Sequence, residues 1–176
     1  MSSIHPVRSP TPPPRAAAPK AALNVDYINF FIEAVVSTFS TMVGESPVRE
    51  KVMLKTEGDE NFGVSGIIGL AGEAAGSVVL NLNEDTARNV VGKFTGTAYQ
   101  TLTSDVIDGV GELTNIIAGD AKNRLRTKGY SFDIGLPRVV AGRNYITMPT
   151  RGVPCVVVKF GSALGGLSLE VCLRKG

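Results

Sequence analysis

The chain has 176 residues, is 43% hydrophobic and 19% charged, and carries a formal net charge of +2. That balance suits one globular domain with a real core, and argues against a disordered chain or a nucleic-acid-binding surface. Its only histidine is His5, near the N-terminus, which excludes Ser-His-Asp and Cys-His nucleophile chemistry and the usual histidine-containing metal sites in the rest of the chain.

Residues 1–22 hold six of the ten prolines. Arg8, Arg15 and Lys20 put three positive charges there with no acid to oppose them, so the basic character of the chain belongs largely to this segment. It reads as a disordered, proline-rich tail of polyproline II character, and PTPPPR (Pro10 to Arg15) fits the PxxP pattern that aromatic grooves read. No apolar run approaches the length needed to span a bilayer, and prolines break any signal-peptide core, so a cytoplasmic protein without a membrane segment is expected.

From Asn24, the spacing of Val25, Ile28, Ile32, Val35, Phe39 and Met42 predicts a core-packing helix, stopped at Gly44. VREKVMLKTE then alternates Val48, Glu50, Val52 and Leu54 with Arg49, Lys51, Met53 and Lys55, which predicts a strand with one face open to solvent. GVSGIIGLAGEAAGSVVLNLN reads as a hairpin turning near Ala71 to Ala75. Its glycines at 66, 69, 72 and 76 fit neither GxGxxG nor GxxxxGK[ST], so they are hairpin glycines and not a phosphate cradle.

After Asn83 comes a short helix with acids in its first turn and glycine near its end. A long helix follows, from about Ser104, as its N-cap, to Lys128. The last third returns to strands in SFDIGLPRVVAGRNYITMPT, PCVVVKF and LSLEVCLRK, the final two joined by GSALGG. Clustered strands without strict βαβ alternation predict an α+β fold, helices packed on a largely antiparallel sheet, in a single domain over residues 23–176. Cys155 and Cys172 fall in apolar strand segments with no histidine nearby. They are expected to be buried, reduced thiols.

The long helix holds the puzzle. Val106, Val110, Leu113 and Ile117, with Ala121 beside them, form an apolar stripe at 100° per residue. Asp108, Glu112, Asn115 and Gly119 fall on the opposite side, with Asp105 near Glu112 and Lys122 near Asn115. Asparagine is a mediocre helix former and Gly109, Gly111 and Gly119 each cost about 1 kcal/mol, so a carboxylate and an amide set between Gly111 and Gly119 mark a face shaped for more than solubility. Three readings stand: a solvated helix face, a surface that another protein approaches closely over the glycines, or Asp105, Asp108 and Glu112 as hard-cation ligands. The basic KNRLRTK run at the helix end complements the helix dipole and lacks an aromatic platform for nucleic acid.

DGVGELTNIIAGDAKNRL resembles the signature helix of the CheC/CheX/FliY family of chemotaxis phosphatases, whose core is ExxN, here Glu112 to Asn115. Asp108 occupies the acidic position of the wider pattern. The resemblance extends to GSVVLNL, to GKFTG and to LPRVVAGRNY, and it covers the chain from about Asn24. One ExxN copy and no internal repeat fit the single-site CheX type.

The resemblance implies a CheC-like fold and hydrolysis of the aspartyl phosphate on a CheY-like response regulator. Asn115 would orient the attacking water and Glu112 would pair with a regulator lysine. Asp108, Gly111, Gly119 and Lys122 would line the partner-binding face. It also implies a homodimer formed through the sheets, no metal or cofactor in this chain, and Mg²⁺ held by the regulator. The other reading it leaves open is a non-catalytic adaptor that recognises a regulator or a flagellar switch component.

Overall fold

The computed structural model describes residues 26–56, 61–145 and 152–175. The proline-rich tail, Val25 and the ITMPT end of the expected strand region lie outside these residues. The described chain runs α1 (Tyr27–Thr38), a π-helical turn (Phe39–Val43), β1 (Val48–Leu54), β2 (Asn61–Gly72), β3 (Ala74–Leu82), α2 (Glu84–Thr95), α3 (Ser104–Arg126), β4 (Phe132–Ile134), β5 (Arg138–Tyr145), β6 (Cys155–Gly161) and β7 (Leu167–Lys175). The strands form one sheet in the order β1-β6-β7-β3-β2-β4, with β5 also pairing β2, and every pairing is antiparallel. The expected α+β architecture is thus the observed one.

The three helices cover one face of this sheet. Val64, Ile68 and Leu70 of β2, Val78, Leu80 and Leu82 of β3, and Leu167, Leu169, Val171 and Leu173 of β7 alternate onto that face and are buried. They meet Phe31, Val35 and Phe39 from the first helical segment, Val90 and Val91 from α2, and the apolar stripe of α3. The hairpin turns at Glu73, where the glycine at 72, with φ of 121°, supplies the left-handed conformation.

Local irregularities explain where the simple periodicities fail. The π-helical turn ends on Gly44, whose φ is 77°, as the stop signal at that glycine requires. Its wider winding rotates Met42 outward and carries Val43 into the core instead. In β1 the register slips between Arg49 and Lys51, so Glu50 is an extra residue in the pairing with β6. The bulge separates Val48 from Val52 and Leu54, and all three are exposed at 68%, 45% and 66%, while Lys55 just beyond the strand is drawn in. Asn83 caps α2 by accepting from the Thr86 N–H at 2.7 Å. Thr103, one residue before the expected Ser104, caps α3 through its hydroxyl to the Val106 N–H at 3.4 Å.

The cysteines require a correction. Cys155 and Cys172 are buried as expected, but they form a disulfide rather than two free thiols. The pairing of β6 with β7 sets the two residues directly opposite each other, on the sheet face away from the helices. Sequence spacing alone gives no register, so this juxtaposition emerges only once the strands are paired.

Candidate active site

Three close approaches fix how α3 is rotated about its own axis. Gly109 lies against the Val91 side chain of α2. Gly111 lies against β5, where an added Cβ would stand 3.0 Å from Val139 Cγ2 and 4.0 Å from Pro137 Cβ. Gly66 of β2 leaves the space that the Thr114 side chain fills, and the Thr114 hydroxyl donates to the Val110 carbonyl at 2.7 Å. With the stripe Val106, Val110, Leu113, Ile117 and Ala121 wholly buried, the helix cannot turn without breaking all of these contacts.

The remaining sector faces outward. Asp105, Asp108 and Glu112 are exposed, Asn115 and Gly119 are half-buried, and the surface around Gly119 is open. Glu112 and Asn115, three residues apart, sit on adjacent ridges of this face. Neither side chain takes a hydrogen-bond or ion-pair partner among the described residues, so both remain available to an incoming molecule. Lys122 lies farther along and pairs with Asp133 of β4 at 3.1 Å.

Gly111 departs from the expectation that it thins the helix for a partner. It is buried, and what approaches closely there is β5 of the same chain. Gly119 keeps the open surface that Gly111 lacks. The basic end of the helix is used internally as well, because Arg124 bridges Glu33 of α1 at 2.9 Å and Asp120 at 3.1 Å.

Asp105, Asp108 and Glu112 follow one another along a single helix, and among the described residues no group of three or more His, Cys, Asp or Glu is arranged to hold a metal ion. What the face can supply is an amide with both donor and acceptor capacity, set behind a row of carboxylates. That arrangement can orient a water and attract a basic rim.

A second polar cluster lies on the opposite face of the sheet, and the alternation of Ser65 with Gly66 places it there. The Lys55 ammonium and Glu170 carboxylate form a buried ion pair at 2.6 Å. Asn81 donates to Glu170 at 2.9 Å and also meets Ser65, whose hydroxyl lies 2.6 Å from the Tyr145 phenol. Burial pushes the Tyr145 phenol above its ordinary range, the Ser65 hydrogen bond opposes this, and the Glu170 charge adds to it. An open cleft of about 320 Å³ borders the cluster. Sequence reading missed it because Lys55 and Glu170 are 115 positions apart, and only Glu170, a lone acid alternating with apolar residues in LSLEVCLRK, hinted at a buried charge.

Comparison with known proteins identifies the chain's relatives. The family model described as chemotaxis phosphatase CheX matches residues 64–161, more than half of the chain and all of α3. The chain is 29% identical over 118 residues to the CheY-P phosphatase CheX of Thermotoga maritima, covering 66% of this chain and 76% of that one. Among solved structures, a CheC-like superfamily protein from Shewanella sp. PV-4 superposes with a TM-score of 0.80 at 32% identity, covering 86% of this chain and 99% of the other. The CheX of a CheX-CheY-BeF3-Mg²⁺ complex from Borrelia burgdorferi superposes at 0.72 with 29% identity, covering 86% and 100%. No helix among the described residues is long and apolar enough to cross a membrane.

Proposed function

Because the chain belongs to the CheX family of chemotaxis phosphatases, we propose that it hydrolyses the aspartyl phosphate of a CheY-like response regulator, with Asn115 orienting the attacking water and Glu112 docking on the regulator. The observation that carries this reading is the outward pair Glu112 and Asn115, both without internal partners, on a helix whose rotation is fixed by buried contacts at Gly66, Val91 and Val139.

The chemistry asks little else of this chain. An aspartyl phosphate is already reactive, and phosphoryl transfer depends chiefly on an in-line nucleophile and balanced charge. The Asn115 amide accepts a hydrogen bond from the water through its oxygen or donates one to it through its nitrogen, which fixes the water's direction of attack. Glu112 is a positioning residue that meets a lysine beside the regulator's phosphorylation site and sets the register of the docked helix. The divalent cation that neutralises phosphate charge belongs to the regulator, as the composition of the Borrelia complex suggests. Mixing the purified chain with a phosphorylated CheY-type regulator should release phosphate faster than the regulator does alone, and Asn115→Ala should abolish that gain. Unaltered phosphate release from every regulator tried, with binding retained, would favour the adaptor reading.

We also place the protein in the cytoplasm as a homodimer. In support of the dimer, β1 stands at the end of the sheet order, and this edge strand carries the exposed Val48, Val52 and Leu54.

A further inference from the structure

One exposed apolar side chain, in the segment that joins β4 to β5, has no role in the fold or in the proposed chemistry. Leu136 is 89% exposed, the most exposed large apolar side chain among the described residues. A lone surface leucine is ordinary. This one is braced from both directions. Before it, Asp133 holds the Lys122 ammonium at 3.1 Å, and the Gly135 N–H donates to the Gly69 carbonyl at 2.9 Å. After it, Val139 packs closely over Gly111, its Cγ2 3.0 Å from where a Cβ would stand.

The segment from 133 to 139 therefore runs beside α3, antiparallel to it, between the levels of Lys122 and Gly111. Asn115 falls inside that interval. It is four residues from Gly111 and so lies on nearly the same side of the helix, one turn along. Leu136, midway between Asp133 and Val139, therefore falls near the level of Asn115 along the helix. From residue 104 to residue 121 the helix carries Asp105, Asp108, Glu112 and Asp120 with no lysine or arginine, so the surface has one exposed apolar point beside an acidic row.

We propose that Leu136 is a docking and specificity-determining residue for the phosphorylated regulator, seating in an apolar depression on the basic rim of its phosphorylation pocket. This rests on the reading of the Asn115 face as the regulator-facing one. An apolar side chain that fills a partner's pocket at the centre of a contact, ringed by neighbours that exclude water, carries binding energy, and here the acidic row steers while the leucine selects. A rigidly held loop loses little entropy on docking, which lets one side chain count.

The test uses a CheY-type regulator loaded with beryllium trifluoride and Mg²⁺ for binding, and the same regulator phosphorylated for turnover. Leu136→Ala should weaken binding about tenfold, equivalent to about 1.4 kcal/mol, and Leu136→Asp should weaken it further. The half-saturating regulator concentration should rise with the dissociation constant, while the saturated rate falls far less. The melting temperature of both variants should match the parent's, since the side chain is almost fully exposed. Unchanged binding and half-saturation in Leu136→Asp would overturn the proposal. So would a large loss of thermal stability, which would assign the leucine to the fold. Leu136-dependent binding by a chain without phosphatase activity would sustain this proposal and defeat the catalytic reading, whereas normal catalysis with binding indifferent to Leu136 would do the reverse.

Discussion

Thr114, the residue before Asn115, fills the space that Gly66 of β2 leaves open on the helix-facing side of the sheet. The Thr114 hydroxyl is committed to the Val110 carbonyl at 2.7 Å, so its rotamer has little freedom to yield. Gly66→Ala should therefore lift α3 locally, costing about 1–3 kcal/mol of stability as overpacked cores do. Asn115 moves with its neighbour, so phosphate release should slow as well. Thr114→Ala in the same chain should recover part of both losses, measurable by chemical denaturation and turnover. A stable, fully active Gly66→Ala variant would show that the helix does not depend on this contact for its depth.

The Cys155–Cys172 disulfide links two strands that are already neighbours and closes a separation of 17 residues. By loop-closure entropy, a link of about this length is worth about 3 kcal/mol. Reduction should lower the melting temperature by several degrees without changing phosphate release, because the pair lies on the sheet face away from α3. Thiol alkylation under denaturing conditions, with and without reductant, reports the state directly. Two alkylated cysteines in unreduced, air-exposed protein would count against the bond.

The exposed edge at β1 makes a prediction about assembly. If two copies join their sheets there, Val52→Glu places a charge at the centre of the join and should shift the protein to a monomer in light scattering. The chain's own fold should survive, since Val52 is 45% exposed. A parent that is monomeric at high micromolar concentration would defeat the dimer reading.

How much of this was legible in the sequence follows from which patterns are local. The stripe of α3 and its polar face could be read because a helix repeats every 3.6 residues without interruption from Ser104 to Arg126. The facing of β1 could not, because a single bulge at Glu50 inverts the alternation and no residue type announces it. Met42 and Val43 exchanged places for a similar reason, one extra residue in a π-helical turn. Gly111 was legible as a point of close approach but not as to what approaches, since that depended on where β5 returns. The disulfide and the Lys55–Glu170 pair needed the strand register, which is a property of the whole sheet.

Asn115 offers the sharpest test, because three substitutions separate shape, charge and hydrogen bonding. Asn115→Ala removes the amide from a half-buried position on the outward face and installs a better helix former, so stability should hold or rise slightly. If the amide orients the water, the rate should fall by about a hundredfold or more, the scale seen when one preorganised polar group is lost, with binding affected much less. Asn115→Asp keeps the shape but adds a negative charge beside a phosphate that must be approached, so it should be no better than alanine. Asn115→Gln keeps the chemistry one methylene too far out, and should retain more activity than either while staying below the parent. Glu112→Ala should behave differently from all three: a docking carboxylate lost from the exposed face should raise the half-saturating regulator concentration as well as lower the rate. Single-turnover phosphate release and a binding titration on each variant give the comparison. If Asn115→Ala loses binding in proportion to rate, the amide is a contact and not the water's guide; if it keeps full activity, the nucleophile is positioned by the regulator alone.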